Sequence, residues 1–148
     1  MTDADILNKY GLPNLEELYV EFNKFEVEEE GIIFTILKKL HDKVDVYSKF
    51  LEDLIQPDSS LVSMQEASVF SEDEQKEIFK LFKQLTYFQR IFLKVGLNYT
   101  EEQKVDFFKK FYSFWLEKKS SIGQIADKAI SIWNIKEEQV EFKGGYFG

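Results

Sequence analysis

The chain has 148 residues, 44% hydrophobic and 31% charged, and 19 bases against 27 acids give it a formal charge of −8. That length suits one globular domain able to bury a sizeable core. With no Cys, disulfides, thiol nucleophiles and Cys-ligated metals are excluded, and the acidic balance excludes nucleic-acid binding driven by bulk charge.

The pattern is helical almost throughout, and its first elements are two short helices near 3–10 and 14–23. Thr2 stands three residues before Asp5, and Asn14 stands three before Glu17 after the Pro13 break, so both starts offer a cap. The opening MTDADILNKYG lacks the basic and apolar regions of a secretory leader. The longest nearly apolar run, Gly31 to Leu37, falls far short of the roughly 20 residues that span a bilayer. A cytoplasmic protein with no membrane partner is the expectation. Residues 1–31 hold nine acids and two bases, a net of −7, so nearly all the acidity lies in this arm. Glu26, Glu28, Glu29 and Glu30 precede the next helix, where the positive end of the helix dipole favours carboxylates.

A long helix is predicted near 32–55, stopped by Pro57, and a short connecting one near 60–69. The long helix carries Ile33, Leu37, Leu40, Val44, Tyr47, Leu51 and Leu54, a seam spaced 4-3-4-3-4-3. A helix near 72–95 follows, capped by Ser71 with Glu74 and stopped near Gly96. Its seam is Ile78, Leu81, Leu85, Phe88, Phe92 and Val95. One face of the same helix carries Lys76, Lys80, Lys83, Tyr87, Arg90 and Lys94 at spacing 4-3-4-3-4, and residues 76–94 net +4. Such a stripe is either an ordinary solvated face or a surface for an acidic partner, a phosphate-bearing ligand, or the acidic arm of this chain or of a second copy.

Two further helices are predicted near 101–119 and 122–134, each opened by a capping box: Thr100 with Gln103, and Ser121 with Gln124. On the first, Phe107, Phe111 and Phe114 form one stripe, and Val105, Phe108, Tyr112 and Trp115 form an adjacent one. Together they span about 200°, twice the ~100° of a surface helix. Phe79 and Phe82 similarly broaden the preceding helix beyond its seam. Three readings stay open for these rings: central packing, a face for self-association or another partner, and the wall of an apolar ligand cavity.

Residues 135–148 read as a flexible tail, with Gly144-Gly145 as a joint ahead of Tyr146, Phe147 and Gly148. The last three suit docking into a partner's pocket. They resemble the hydrophobic-Tyr-X tails of proteasome activators, with Phe147 where that family prefers Tyr. Val140 and Phe142 offer a strand-like stub near 139–143 instead.

Catalytic signals are sparse. His41 is the only His; it can pair with Asp45 four residues on. A bundle-type di-iron site needs Glu-x-x-His pairs, and position 38 is Lys38. No phosphate-cradling or nucleophile-elbow motif occurs. Glu26-x-x-Glu29 followed by Asp42-x-x-Asp45 resembles the magnesium site of all-α nucleotide pyrophosphatases, although the second pair opens with Asp where that family has Glu. The resemblance implies four inward carboxylates holding cations around a diphosphate.

Residues 1–148 are thus expected to form one all-α domain, an antiparallel four-helix bundle with short extra N-terminal and connecting helices. The leading functional expectation is a non-enzymatic interaction or adaptor protein without a cofactor, self-associating as a homodimer through Phe107, Phe111 and Phe114. A bundle that binds a small apolar or anionic ligand is the alternative, and a magnesium-dependent nucleotide pyrophosphatase is the third reading.

Overall fold

The computed structural model describes residues 1–134, and these form helices and turns with no strand among them. The order is α1 (Asp3–Lys9), α2 (Leu15–Phe22), α3 (Ile32–Ile55), α4 (Leu61–Ser68), α5 (Glu72–Asn98) and α6 (Glu101–Ser131). Four starts carry a reciprocal capping box: Thr2 with Asp5, Asn14 with Glu17, Ser71 with Glu74, and Thr100 with Gln103. Each box satisfies two backbone N–H groups that the first helical turn leaves without partners. Gly11, at φ +65°, ends α1 by letting the Leu12 N–H donate to the Leu7 carbonyl at 2.9 Å.

Two boundaries differ from the sequence expectation. Helix α5 continues two residues past Gly96. The segments expected as separate helices near 101–119 and 122–134 are one helix, α6, and Ser121 lies inside it as an exposed residue instead of capping a new start. The reason is that the apolar row keeps its phase across the Ser120–Ser121 pair. Phe108, Trp115, Ile122 and Ala129 recur every seven residues, and all four are buried. Burying that continuous row outweighs the modest helix cost of two Ser and one Gly. Three long helices and three short ones therefore make up the described residues.

Helix α3 is the hub. The longer α5 and α6 pack along it, α1, α2 and α4 cover its remaining flanks, and α5 and α6 touch each other sparingly. Ile33, Leu37, Leu40, Val44, Leu51 and Leu54 of the predicted seam are buried, and Tyr47 is half-buried. The α5 seam faces inward likewise, with Phe88 and Phe92 half-buried. Helix α5 runs antiparallel to α3: Ser48 Oγ donates to Gln89 Oε1 at 3.2 Å and Gln89 Nε2 donates to Asp45 Oδ1 at 3.0 Å, while His41, earlier on α3, stacks on Phe92, later on α5. It also runs antiparallel to α6, since Lys128 near the end of α6 meets Glu74 at the start of α5.

The aromatic breadth of α6 follows from this position. Toward α5, Phe111 stacks on Phe88 at 4.9 Å and 4°. Toward α3 and the arm, Trp115 meets Tyr47 at 5.4 Å, and Tyr112 meets Phe22 at 6.1 Å. A helix with neighbours on two sides needs an apolar arc about twice as wide as a surface helix.

Candidate interaction face

The basic stripe is exposed along its whole length: Lys76, Lys80, Lys83, Tyr87, Arg90 and Lys94 all face outward on α5. Lys76 lies 3.9 Å from Glu72 one turn back. Lys83 sits 5.5 Å above the Phe79 ring. Among the described residues no carboxylate oxygen lies within 4.0 Å of Lys80, Lys83, Arg90 or Lys94.

The five predicted interface rings do not share one surface. Phe111 is 0% exposed and Phe107 6%, both held in the core between α5 and α6. Phe114 is half-buried on the same junction, 4.9 Å from the Phe88 centroid. Phe79 (47% exposed) and the half-buried Phe82 stack on each other at 6.5 Å on the other flank of α5. There Phe82 borders a cleft of about 450 Å³ against α3. The inward placement of Phe107 and Phe111 leaves Phe114, Phe88 and Tyr87 as the reachable part of the α5–α6 aromatic cluster.

Because α5 and α6 touch sparingly, a groove runs between them. At one end it holds about 440 Å³, floored by Phe70, Ile78, Leu81 and Ile125 and edged by Lys80, Lys118 and Lys128 together with Asp73, Glu74 and Glu77. Its middle, about 480 Å³, is lined by Lys80, Lys83, Gln84, Tyr87, Phe88 and Phe114. The far end, about 320 Å³, includes Tyr87, Phe88, Ile91 and Tyr99. Adjacent sections share Lys80 with Gln84, then Tyr87 with Phe88, so Lys80, Lys83 and Tyr87 of the stripe form one rim of a continuous groove with an aromatic floor, while Arg90 borders the cleft against α3. Lys128 clamps Glu74 at 2.7 and 2.6 Å at the Phe70 end. Together with the hydrogen bond from the Ser71 backbone, that clamp holds the Glu74 carboxyl down at about 2.

The acidic arm is fastened on the opposite side. Glu21, nearly buried, accepts from Trp115 Nε1 at 2.6 Å and from Lys119 Nζ at 2.8 Å. Lys43 Nζ lies 3.4 Å from the same carboxylate and also donates to the Glu21 carbonyl. Burial pushes the Glu21 carboxyl up, but the hydrogen bonds from Lys119 and Trp115 and the charges of Lys43 and Lys119 outweigh it, and the group sits below its ordinary range. This clasp fixes α2 with Val20 outward, 85% exposed. Glu21 and its partners were invisible to spacing because 94 residues separate Glu21 from Trp115. Val20 was legible: Leu15, Leu18, Tyr19 and Phe22 share the inner face of α2, and Val20 falls on the other.

Other sequence candidates are not assembled. His41 stacks on Phe92 at 4.2 Å and lies 3.6 Å from Asp42; Asp45 is instead engaged by Gln89. Glu26, Glu29, Asp42 and Asp45 do not converge, and no group of three or more His, Asp or Glu among the described residues is placed to hold a metal ion. Tyr146, Phe147, Gly148 and the stub near 139–143 lie outside the described residues. Among the described helices none is long and apolar enough to cross a membrane. No protein-family model, curated protein or solved structure matches the chain.

Proposed function

We propose that the protein is a non-enzymatic interaction module that self-associates through the α5–α6 groove. The observation that carries this reading is the groove itself, an aromatic floor of Phe88 and Phe114 with Tyr87 exposed beside it and a rim of Lys80 and Lys83, which meet no carboxylate within 4.0 Å among the described residues. A surface of this kind combines ring anchors with charges that set register and encounter rate. It also occupies the place of a missing element. A fourth long helix laid between α5 and α6 would complete an antiparallel four-helix bundle, and in this reading a second molecule supplies that cover. Phe107 and Phe111 then act from beneath, by setting the shape of the floor.

A small apolar ligand in the pocket beside Phe70 is the second reading. It is favoured by the apolar floor of Phe70, Ile78, Leu81 and Ile125, at a volume in the range of small-molecule sites. Native mass spectrometry reads both outcomes together. Self-association predicts a dimer of bare polypeptide that Tyr87→Glu and Phe114→Glu convert to monomer while circular dichroism stays helical. A monomer carrying extra mass supports the ligand reading, and a dimer unchanged in both variants removes the groove from consideration.

A further inference from the structure

The charges of the arm and the stripe name an occupant for the groove. Resting on the self-association reading, we propose that the second copy enters the groove with its own acidic arm. The outer face of α2 brings Val20 against Phe88 and Phe114, and the arm's exposed carboxylates face the stripe on α5.

Three observations converge on this pairing. The two surfaces are opposite in sign, for residues 1–31 net −7 and residues 76–94 net +4, although Glu21, Glu28 and Lys76 are already paired within the chain. Glu16, Glu26 and Glu29 are exposed in the arm, as Lys80, Lys83 and Arg90 are on the stripe. Next, the apolar parts match. Val20 is 85% exposed, and Glu16 and Glu17 flank it at the preceding helical turn. An apolar knob between carboxylates is the counterpart of an aromatic floor beside lysines. Last, one molecule cannot satisfy itself. Glu21, held by Trp115, Lys119 and Lys43, pins α2 over α3 and α6, away from the stripe and with Val20 pointing outward.

A second copy fits better than an unrelated acidic segment because its α2 is already folded and clasped, so docking costs little ordering entropy. The net charge of −8 on each copy opposes approach at long range. At about 0.15 M salt that repulsion is screened beyond about 8 Å, whereas contact pairs persist.

A charge-swap experiment tests the pairing. The stripe variant carries Lys80→Glu, Lys83→Glu and Arg90→Glu; the arm variant carries Glu16→Lys, Glu26→Lys and Glu29→Lys. All six side chains are exposed, and circular dichroism verifies that helicity is retained. Sedimentation equilibrium at about 0.15 M NaCl should show each variant alone associating at least about tenfold more weakly than the wild-type chain. Mixed in equal amounts, the two should recover wild-type association, because the reversed arm of one variant meets the reversed stripe of the other, and the wild-type arm and wild-type stripe that remain also pair. Wild-type association by the stripe variant alone, or a mixture no stronger than its parts, overturns the arm–stripe pairing. If in that case Tyr87→Glu still dissociates the wild-type dimer, self-association through the groove stands without it. A wild-type chain that stays monomeric throughout overturns both.

Discussion

Glu21 shows how one residue can tie together parts of the chain that share no local pattern. Its carboxylate is shielded from water, yet it stays ionised because Trp115, Lys119 and Lys43 surround it. Removing the carboxylate leaves the Trp115 N–H without an acceptor and two ammonium groups without a counter-ion. Glu21→Ala should therefore cost about 2 kcal/mol in urea-unfolding stability, the scale of lost hydrogen bonds to a charged group. Glu21→Gln, which keeps an acceptor for Trp115, should cost less. Equal losses for the two variants would show that the indole contact contributes nothing.

At the scale of the element, α6 is the informative case. Ser120, Ser121 and Gly123 together with the Gln124 cap signal imitate a helix boundary, and the local chemistry of a capping box is satisfied equally well on paper. Continuity wins because Ile122 and Ala129 extend the Phe108–Trp115 row into the core. Gly123 then lies in mid-helix, exposed, with nothing within 4 Å of an added Cβ. Gly123→Ala should stabilise the fold by about 1 kcal/mol, because it removes backbone freedom from the unfolded chain and meets no neighbour. An unchanged or lowered urea midpoint would mean that α6 is interrupted there. The Phe107–Phe111–Phe114 stripe carries the same lesson in another form. Its periodicity marks a row of rings on one side of a helix, which is equally the signature of a core and of an interface. The position of α5 assigns Phe107 and Phe111 to the core and leaves Phe114 at the groove.

Across the whole molecule, charge is arranged as an acidic arm on one side of the α3 hub and a basic stripe on α5 at another. Two paired carboxylates make stability depend on pH. Glu74 and Glu21 both sit below their ordinary values when folded, Glu74 at about 2. A depressed folded value means that the unfolded chain takes up protons first as pH falls. The contribution of each carboxylate is therefore complete above the ordinary carboxylate value of 4.5 and is lost progressively as pH falls toward about 2 for Glu74. Urea midpoints should be level above about pH 5 and fall below it, and the fall should be shallower in Glu74→Gln, which has no proton to gain. An identical slope in the variant would mean that the Lys128 clamp is not formed in solution.

The sequence by itself determined the helical class, the caps at Thr2, Asn14, Ser71 and Thr100, the two seams, and the division of charge between arm and stripe. These rest on interactions within one or two helical turns, or on composition, so spacing along the chain encodes them directly. Only the tertiary structure decided that α6 runs unbroken, that Phe111 is core while Phe114 borders the groove, that Glu21 meets Trp115, and that a groove stays open between α5 and α6. Periodicity gives the phase of a face but not its neighbour. What a face becomes depends on which distant element reaches it, and that contact forms through space between residues whose separation along the chain carries no signal.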